Sequence, residues 1–243
     1  MTAGNSKAPI PAEGNKPPAE ENDVDAFLAQ VRSMPPPARQ GEASGRLIFA
    51  MDATMSRQPT WDRALQIQGE MFQETERIGG LDVQLVYFRG FNECRASKWV
   101  SEPTALARLM AGVDCRGGHT QIAKVLSHIK AEAGKAKVNA VVYVGDAMEE
   151  NIDTVCGKAG EVGLLGIPIF MFQEGSDGAV ANAYREIARL TGGAYLRLDG
   201  NSAHALRDLL SAVAVYAAGG RKALESHSKS KGGNAALLLQ QLR

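Results

Sequence analysis

The chain has 243 residues, 44% apolar and 22% charged, enough for one sizeable hydrophobic core and ordinary for a soluble globular protein. Lys plus Arg equal Asp plus Glu at 27 each, so net charge gives no argument for a nucleic acid or an anionic membrane surface. The cysteines Cys94, Cys115 and Cys156 are odd in number, far apart and free of any CxxC pair, which argues against a disulfide framework or a structural zinc site and fits a reducing compartment.

In chain order, residues 1–22 are rich in Pro, Ala, Gly, Glu and Asn and lack the apolar core of a signal peptide; they read as a disordered tail. Residues 23–45 combine one short helix, in which Val24, Phe27, Leu28 and Val31 recur at helical spacing, with the linker "MPPPARQGEASG". From Arg46 the pattern alternates. Strands are predicted at 47–51, 83–88, 140–144, 168–172 and 194–198, with a weaker, edge-like strand around 94–100. Helical patterns fall at 61–78, 103–113 (with Pro103 in the first turn), 121–135, 152–165, 179–190 and 204–218. Strands alternating with helices of this length predict an α/β fold: a Rossmann-like, doubly wound, mostly parallel central sheet flanked by helices. The longest weakly apolar stretch, 209–220, is shorter than the ~20 residues a bilayer requires. Residues 221–243 read as a basic linker and a short C-terminal helix, "NAALLLQQLR".

In such sheets ligands sit beyond the carboxyl ends of the strands. The first strand ends on Asp52 in "IFAMDATMSR", and a later apolar strand ends on Asp146 in "AVVYVGDAMEEN". Two strand-end carboxylates on neighbouring central strands repel unless a cation or a proton lies between them. Thr54 and Ser56 add hydroxyls on the Asp52 loop, and Thr120 adds another after the Gly117-Gly118 turn, at a predicted helix N-cap. Turn chemistry alone would explain an isolated Asp-x-Thr-x-Ser. Together, Asp52, Thr54, Ser56, Thr120 and Asp146 form an all-oxygen set that suits Mg²⁺ or Mn²⁺ and does not suit zinc or copper. His119 reads as an exposed loop residue rather than a ligand.

These residues resemble the von Willebrand factor type A (VWA) family with its metal-ion-dependent adhesion site. That family's pattern is D-x-S-x-S after the first strand, a Thr in a Gly-rich loop and an Asp after the fourth strand. The resemblance runs over residues 46–220. Thr54 replaces the first Ser, His119 is inserted before Thr120, and Ala147 follows Asp146 where many members have Gly. The resemblance implies a bound Mg²⁺ or Mn²⁺ whose free position accepts a carboxylate from a partner protein, with no covalent chemistry. It further implies a non-catalytic binding module in a bacterial multiprotein system, and the loops around the site put Arg57, His119 and Glu149 on the rim of the contact face. The cysteine usage, the N-terminal composition and the balanced charge give the expectation of a cytoplasmic protein with no nucleic-acid or membrane partner.

The alternative is a haloacid dehalogenase-like, Mg²⁺-dependent phosphatase with Asp52 as nucleophile. That reaction needs a second Asp two residues on as general acid/base, and Thr54 stands there. Two further βα units also follow Asp146. A nucleotide-binding Rossmann domain is excluded, because no G-x-G-x-x-G or Walker loop follows the first strand.

Overall fold

The near-continuous apolar runs form the centre of the sheet. A computed structural model describes residues 45–57 and 81–198, together with positions 212, 213, 217 and 226, each helical. Strands β1 (Gly45–Asp52), β2 (Leu81–Arg89), β3 (Glu93–Ala96), β4 (Ala140–Gly145), β5 (Ile169–Glu174) and β6 (Tyr195–Leu198) form one sheet in the order β3-β2-β1-β4-β5-β6. All neighbours pair in parallel except β2 and β3, which are antiparallel. Strand order therefore reverses between β1 and β4, the position where doubly wound sheets open a crevice at their carboxyl edge.

Alternation along β1 explains its burial. Leu47, Phe49 and Met51 face a core shared with Leu106 and Met110 of α1 (Pro103–Ala111) and with Ala212, Val213 and Ala217. Ile48 and Ala50 face the opposite core, built with α2 (Ile122–Ala133), α3 (Ile152–Leu164) and α4 (Gly178–Thr191). Both faces are covered, which is why the central strands carry no polar alternation.

The predicted elements that fall on described residues match within a few residues at each end. The edge strand differs. It spans Glu93–Ala96 and is followed by a separate Val83–Val100 bridge, so the 94–100 expectation merged two short pairings. The tail 1–22, the helix and all of the linker of 23–45 but Gly45 (the first residue of β1), the helix 61–78, most of the helix 204–218 and nearly all of 221–243 lie outside the described residues.

Side-chain caps start two of the helices. Asn151 accepts the Thr154 N–H at 3.0 Å before α3, and Asp177 accepts those of Ala179 and Val180 at 2.7 and 3.1 Å before α4. Toward the C-terminus of α2 a polar network ties the helix to β1 and to the segment after β3. Glu132 accepts from Trp99 Nε1 at 2.8 Å and from Lys135 Nζ at 2.6 Å, while the Arg46 guanidinium stacks 3.7 Å over the Trp99 ring. One turn earlier His128 Nε2 lies 2.8 Å from Gln84 Oε1; Gln84 Nε2 donates to Ser97 O, so the imidazole is assigned as donor.

Burial lowers the His128 pKa, with Lys135 acting in the same direction and Glu132 opposing. A neutral native imidazole means the unfolded chain takes up the proton first. This contribution to stability is therefore present above ~6.5 and is lost as pH falls through that value. Urea midpoints measured from pH 7.5 down to 5.5 are expected to fall more steeply in the wild type than in His128→Gln. Equal slopes would show that His128 is not proton-linked to folding.

Candidate functional site at the carboxyl edge

Asp52 is the last residue of β1 and is fully buried. Its parity places it on the face of Ile48 and Ala50, toward the layer of α2, α3 and α4. The chain then turns sharply, because Asp52 Oδ1 accepts the Thr54 N–H at 2.7 Å. That turn brings the next two hydroxyls together: Thr54 Oγ1 and Ser56 Oγ are 3.1 Å apart. The loop is anchored on both sides, by Ala53 N–H to Phe88 O at 2.9 Å and by Arg116 N–H to Ala53 O at 3.0 Å. The Arg57 side chain lies outside the described residues.

The Gly-rich loop is shaped by a close approach. A β-carbon on Gly118 would stand 2.0 Å from the carbonyl oxygen of Gly90, which itself has φ +61°. This contact lets the His119 N–H donate to Gly90 O at 3.2 Å and leaves the next residue, Thr120, nearly fully buried. Gln121 holds the same junction from the other side, its Nε2 donating to Arg89 O and Gly90 O, each at 3.2 Å. Arg89 in turn grips Glu93 through two hydrogen bonds and donates to Asp114 O at 2.8 Å. That Glu93 contact is the main reason its guanidinium pKa is raised.

Thr120 was expected to cap α2, and it does not. Gln121 occupies the N-cap with its side chain turned away. The first amides of α2, those of Ile122 and Ala123, donate instead to the carboxylate of Glu150 from the loop after β4. Burial raises the Glu150 pKa, although both backbone donors pull it down. Thr120 is engaged with the neighbouring carboxylate in a reciprocal clasp. Its N–H donates to Glu149 Oε2 at 2.9 Å, and its Oγ1 accepts the Glu149 N–H at 3.0 Å. The same Glu149 oxygen lies 3.2 Å from His119 Nδ1, and His119 meets the exposed Phe91 ring edge-on at 5.2 Å.

Asp146 follows β4 directly. Met51 of β1 pairs with Val144 of β4, so Asp52 ends its strand level with Gly145 and Asp146 follows one residue on, the two acids leaving neighbouring strands at the switch in strand order. Asp146 Oδ1 is buried, and no described residue donates to it. Leaving a buried carboxylate oxygen unbonded is costly, so such an atom calls for a hydrogen-bond donor or a cation. Beneath it, Gly145 leaves room for the phenols of Tyr143 and Tyr184; a β-carbon there would lie 2.7 Å from the Tyr184 hydroxyl. Burial first, then Tyr184 and the Asp52 charge, push the Tyr143 phenol well above its ordinary range. It stays neutral and supplies no counter-charge.

The five expected donors thus come from one edge of the sheet: Asp52 at the end of β1 with Thr54 and Ser56 just after it, Thr120 before α2, and Asp146 after β4. Their chemistry, two carboxylates and three hydroxyls, fits a hard divalent cation that keeps waters and an open position. Sequence reasoning missed Glu150, Gln121 and Arg89, which hold the loops in place. The last acid of "DAMEEN" was the visible signal for Glu150.

Sheet and loops together define a doubly wound α/β protein with oxygen donors gathered at its switch point. Within that class, the fold is that of a VWA domain. It is similar to a von Willebrand factor type A protein from Catenulispora acidiphila, with a TM-score of 0.58 and 12% identity over 72% of this chain and 43% of that one. It is also similar to the SpRpn10 VWA domain, with a TM-score of 0.55 and 10% identity over 69% and 94% of the two chains. A third similar structure is proximal thread matrix protein 1 from the mussel byssus, solved with zinc in its metal-ion-dependent adhesion site motif; the TM-score is 0.55 and the identity 14%, over 70% and 46%. No family model matches the chain, and no curated relative matches it. None of the helices among the described residues is long and apolar enough to cross a membrane.

Proposed function

We propose that Asp52, Thr54, Ser56, Thr120 and Asp146 hold Mg²⁺ or Mn²⁺, and that residues 46–220 act as a non-catalytic module binding an acidic side chain of a partner protein. The observation that carries this reading is the buried, undonated Oδ1 of Asp146, on a loop clasped to Thr120 and beside the buried Asp52. A divalent cation there would balance the charge of both carboxylates and, with neutral hydroxyls and waters in the rest of its shell, keep an exchangeable coordination position for an incoming carboxylate. Zinc in the motif of the mussel protein makes zinc a third ion to test. The rim would include His119, Glu149 and Arg57. Exposed Met55 lies on the loop after β1, and exposed Phe91, in the β2–β3 turn, meets the His119 ring, so a partner presenting an apolar residue beside its acid would gain contact area. We place the module in a bacterial multiprotein system by analogy with the family, and in the cytoplasm on its few, dispersed cysteines.

The test is capture of the partner from a native lysate with and without chelator. Binding is expected to fail in EDTA, to return with Mg²⁺, and to fail again in Thr120→Ala. Equal capture in EDTA would move the interaction surface away from this edge. Hydrolysis of aryl phosphates with Mg²⁺ at neutral pH is expected to be absent, since Thr54 cannot act as the general acid/base a phosphatase needs there. Turnover that vanishes in Asp52→Asn would establish the phosphatase instead.

A further inference from the structure

Glu150 does something unusual for a residue on a loop at this edge: it caps a helix that begins 28 residues earlier in the chain. Its two carboxylate oxygens take the amides of Ile122 and Ala123, with the Ala123 N–H at 3.0 Å from Oε2. Helix N-termini favour negative charge, and the first amides of α2 have no intrahelical acceptor of their own. Gln121, at the N-cap, gives its side chain to Arg89 and Gly90 and leaves those amides to Glu150.

The consequence is geometric. Glu150 lies four residues after Asp146, and Ile122 lies two residues after Thr120. Glu149 adds the reciprocal pair of bonds to Thr120 itself. Two loops far apart in sequence, each carrying one oxygen donor, are therefore locked at a fixed separation by four main-chain amides and two adjacent carboxylates. We infer that Glu150 is a positioning residue for the metal: it touches no metal-facing atom but fixes Asp146 relative to Thr120, so that both donors are in place before the ion arrives. The inference rests on the metal reading above. Partners that orient ligands in this way influence affinity through preorganisation, and losing one typically weakens metal binding ~10–100-fold.

The experiment is a Mn²⁺ titration followed by electron paramagnetic resonance of the free ion, on the full chain as wild type, Glu150→Ala, Glu150→Gln and Asp177→Ala. Asp177 is the control because its carboxylate also caps two amides of a helix, α4, outside the three loops that carry the donors. Glu150→Ala is expected to weaken Mn²⁺ about tenfold or more. Glu150→Gln should fall between, since one amide oxygen still accepts. Asp177→Ala should lower the melting temperature and leave affinity unchanged. If Glu150→Ala fails to fold, Glu150→Gln decides alone: weaker binding supports the inference and wild-type affinity overturns it. Wild-type affinity in both Glu150 variants, or an equal loss in Asp177→Ala, would reduce Glu150 to a fold-stabilising role and leave the metal reading intact. A wild type that binds no Mn²⁺ sinks the metal reading and this inference together.

Discussion

Mg²⁺ or Mn²⁺ at a hundredfold excess over its dissociation constant is expected to stabilise the wild-type chain by about 2.7 kcal/mol, because a ligand that binds only the native state shifts folding by mass action. For a domain of this size that corresponds to a rise of roughly 5–10 °C in Tm. The rise should be absent in Asp52→Asn and Asp146→Asn. The Asn variants are the informative ones: Asp52→Asn keeps an Oδ1 to accept the Thr54 N–H while removing the charge. In EDTA the same substitution should melt no lower than wild type, since it relieves a buried carboxylate of its like-charged neighbour. A thermal scan in which Asp52→Asn retains the metal-induced rise would show that the ion binds elsewhere.

The second large effect is expected at Gly118. Its hydrogen faces the main chain of Gly90, and a β-carbon would be 2.0, 2.2 and 2.4 Å from three Gly90 backbone atoms. Backbone cannot rotate away as a flexible side chain can, so Gly118→Ala must displace the turn after β2 or the loop that carries His119 and Thr120. The expected destabilisation is about 1–3 kcal/mol, the range seen for overpacked sites, accompanied by weaker metal binding. Gly117→Ala is the matched control, because a β-carbon there meets nothing within 4 Å. Chemical denaturation of the two variants should separate them clearly. Comparable stability of both would show that the loop has slack and that the close approach does not shape the site.

The strands were legible because burial on both faces forces β1, β4 and β5 into unbroken apolar runs, and the helices because one apolar stripe per helix survives at 3.6-residue spacing. The two strand-end acids followed from the same pattern: a charge that ends a buried strand falls on the edge where the loops are. What could not be read was who satisfies whom across the loops. Thr120 has good capping chemistry and stands two residues before a helix, so local rules assign it to the cap. The amides of α2 are satisfied instead by Glu150, far away in sequence, and Thr120 is claimed by Glu149. Local preference yielded to a tertiary contact, as N-cap preferences do when a better-placed anion is available. Arg89 was invisible for a similar reason: at the end of β2 it reads as a solvated charge, yet its stem is buried and its head is held by Glu93 and Asp114 O.

The central claim is that one divalent ion sits among Asp52, Thr54, Ser56, Thr120 and Asp146, and the most direct measurement is a crystal structure grown with Mn²⁺ and recorded at the manganese absorption edge. A single anomalous peak at this edge of the sheet, with ligand oxygens at roughly 2.0–2.3 Å, is the predicted result. A crystal whose manganese lies elsewhere, or one with these three loops well ordered and no peak between them at saturating Mn²⁺, would contradict it.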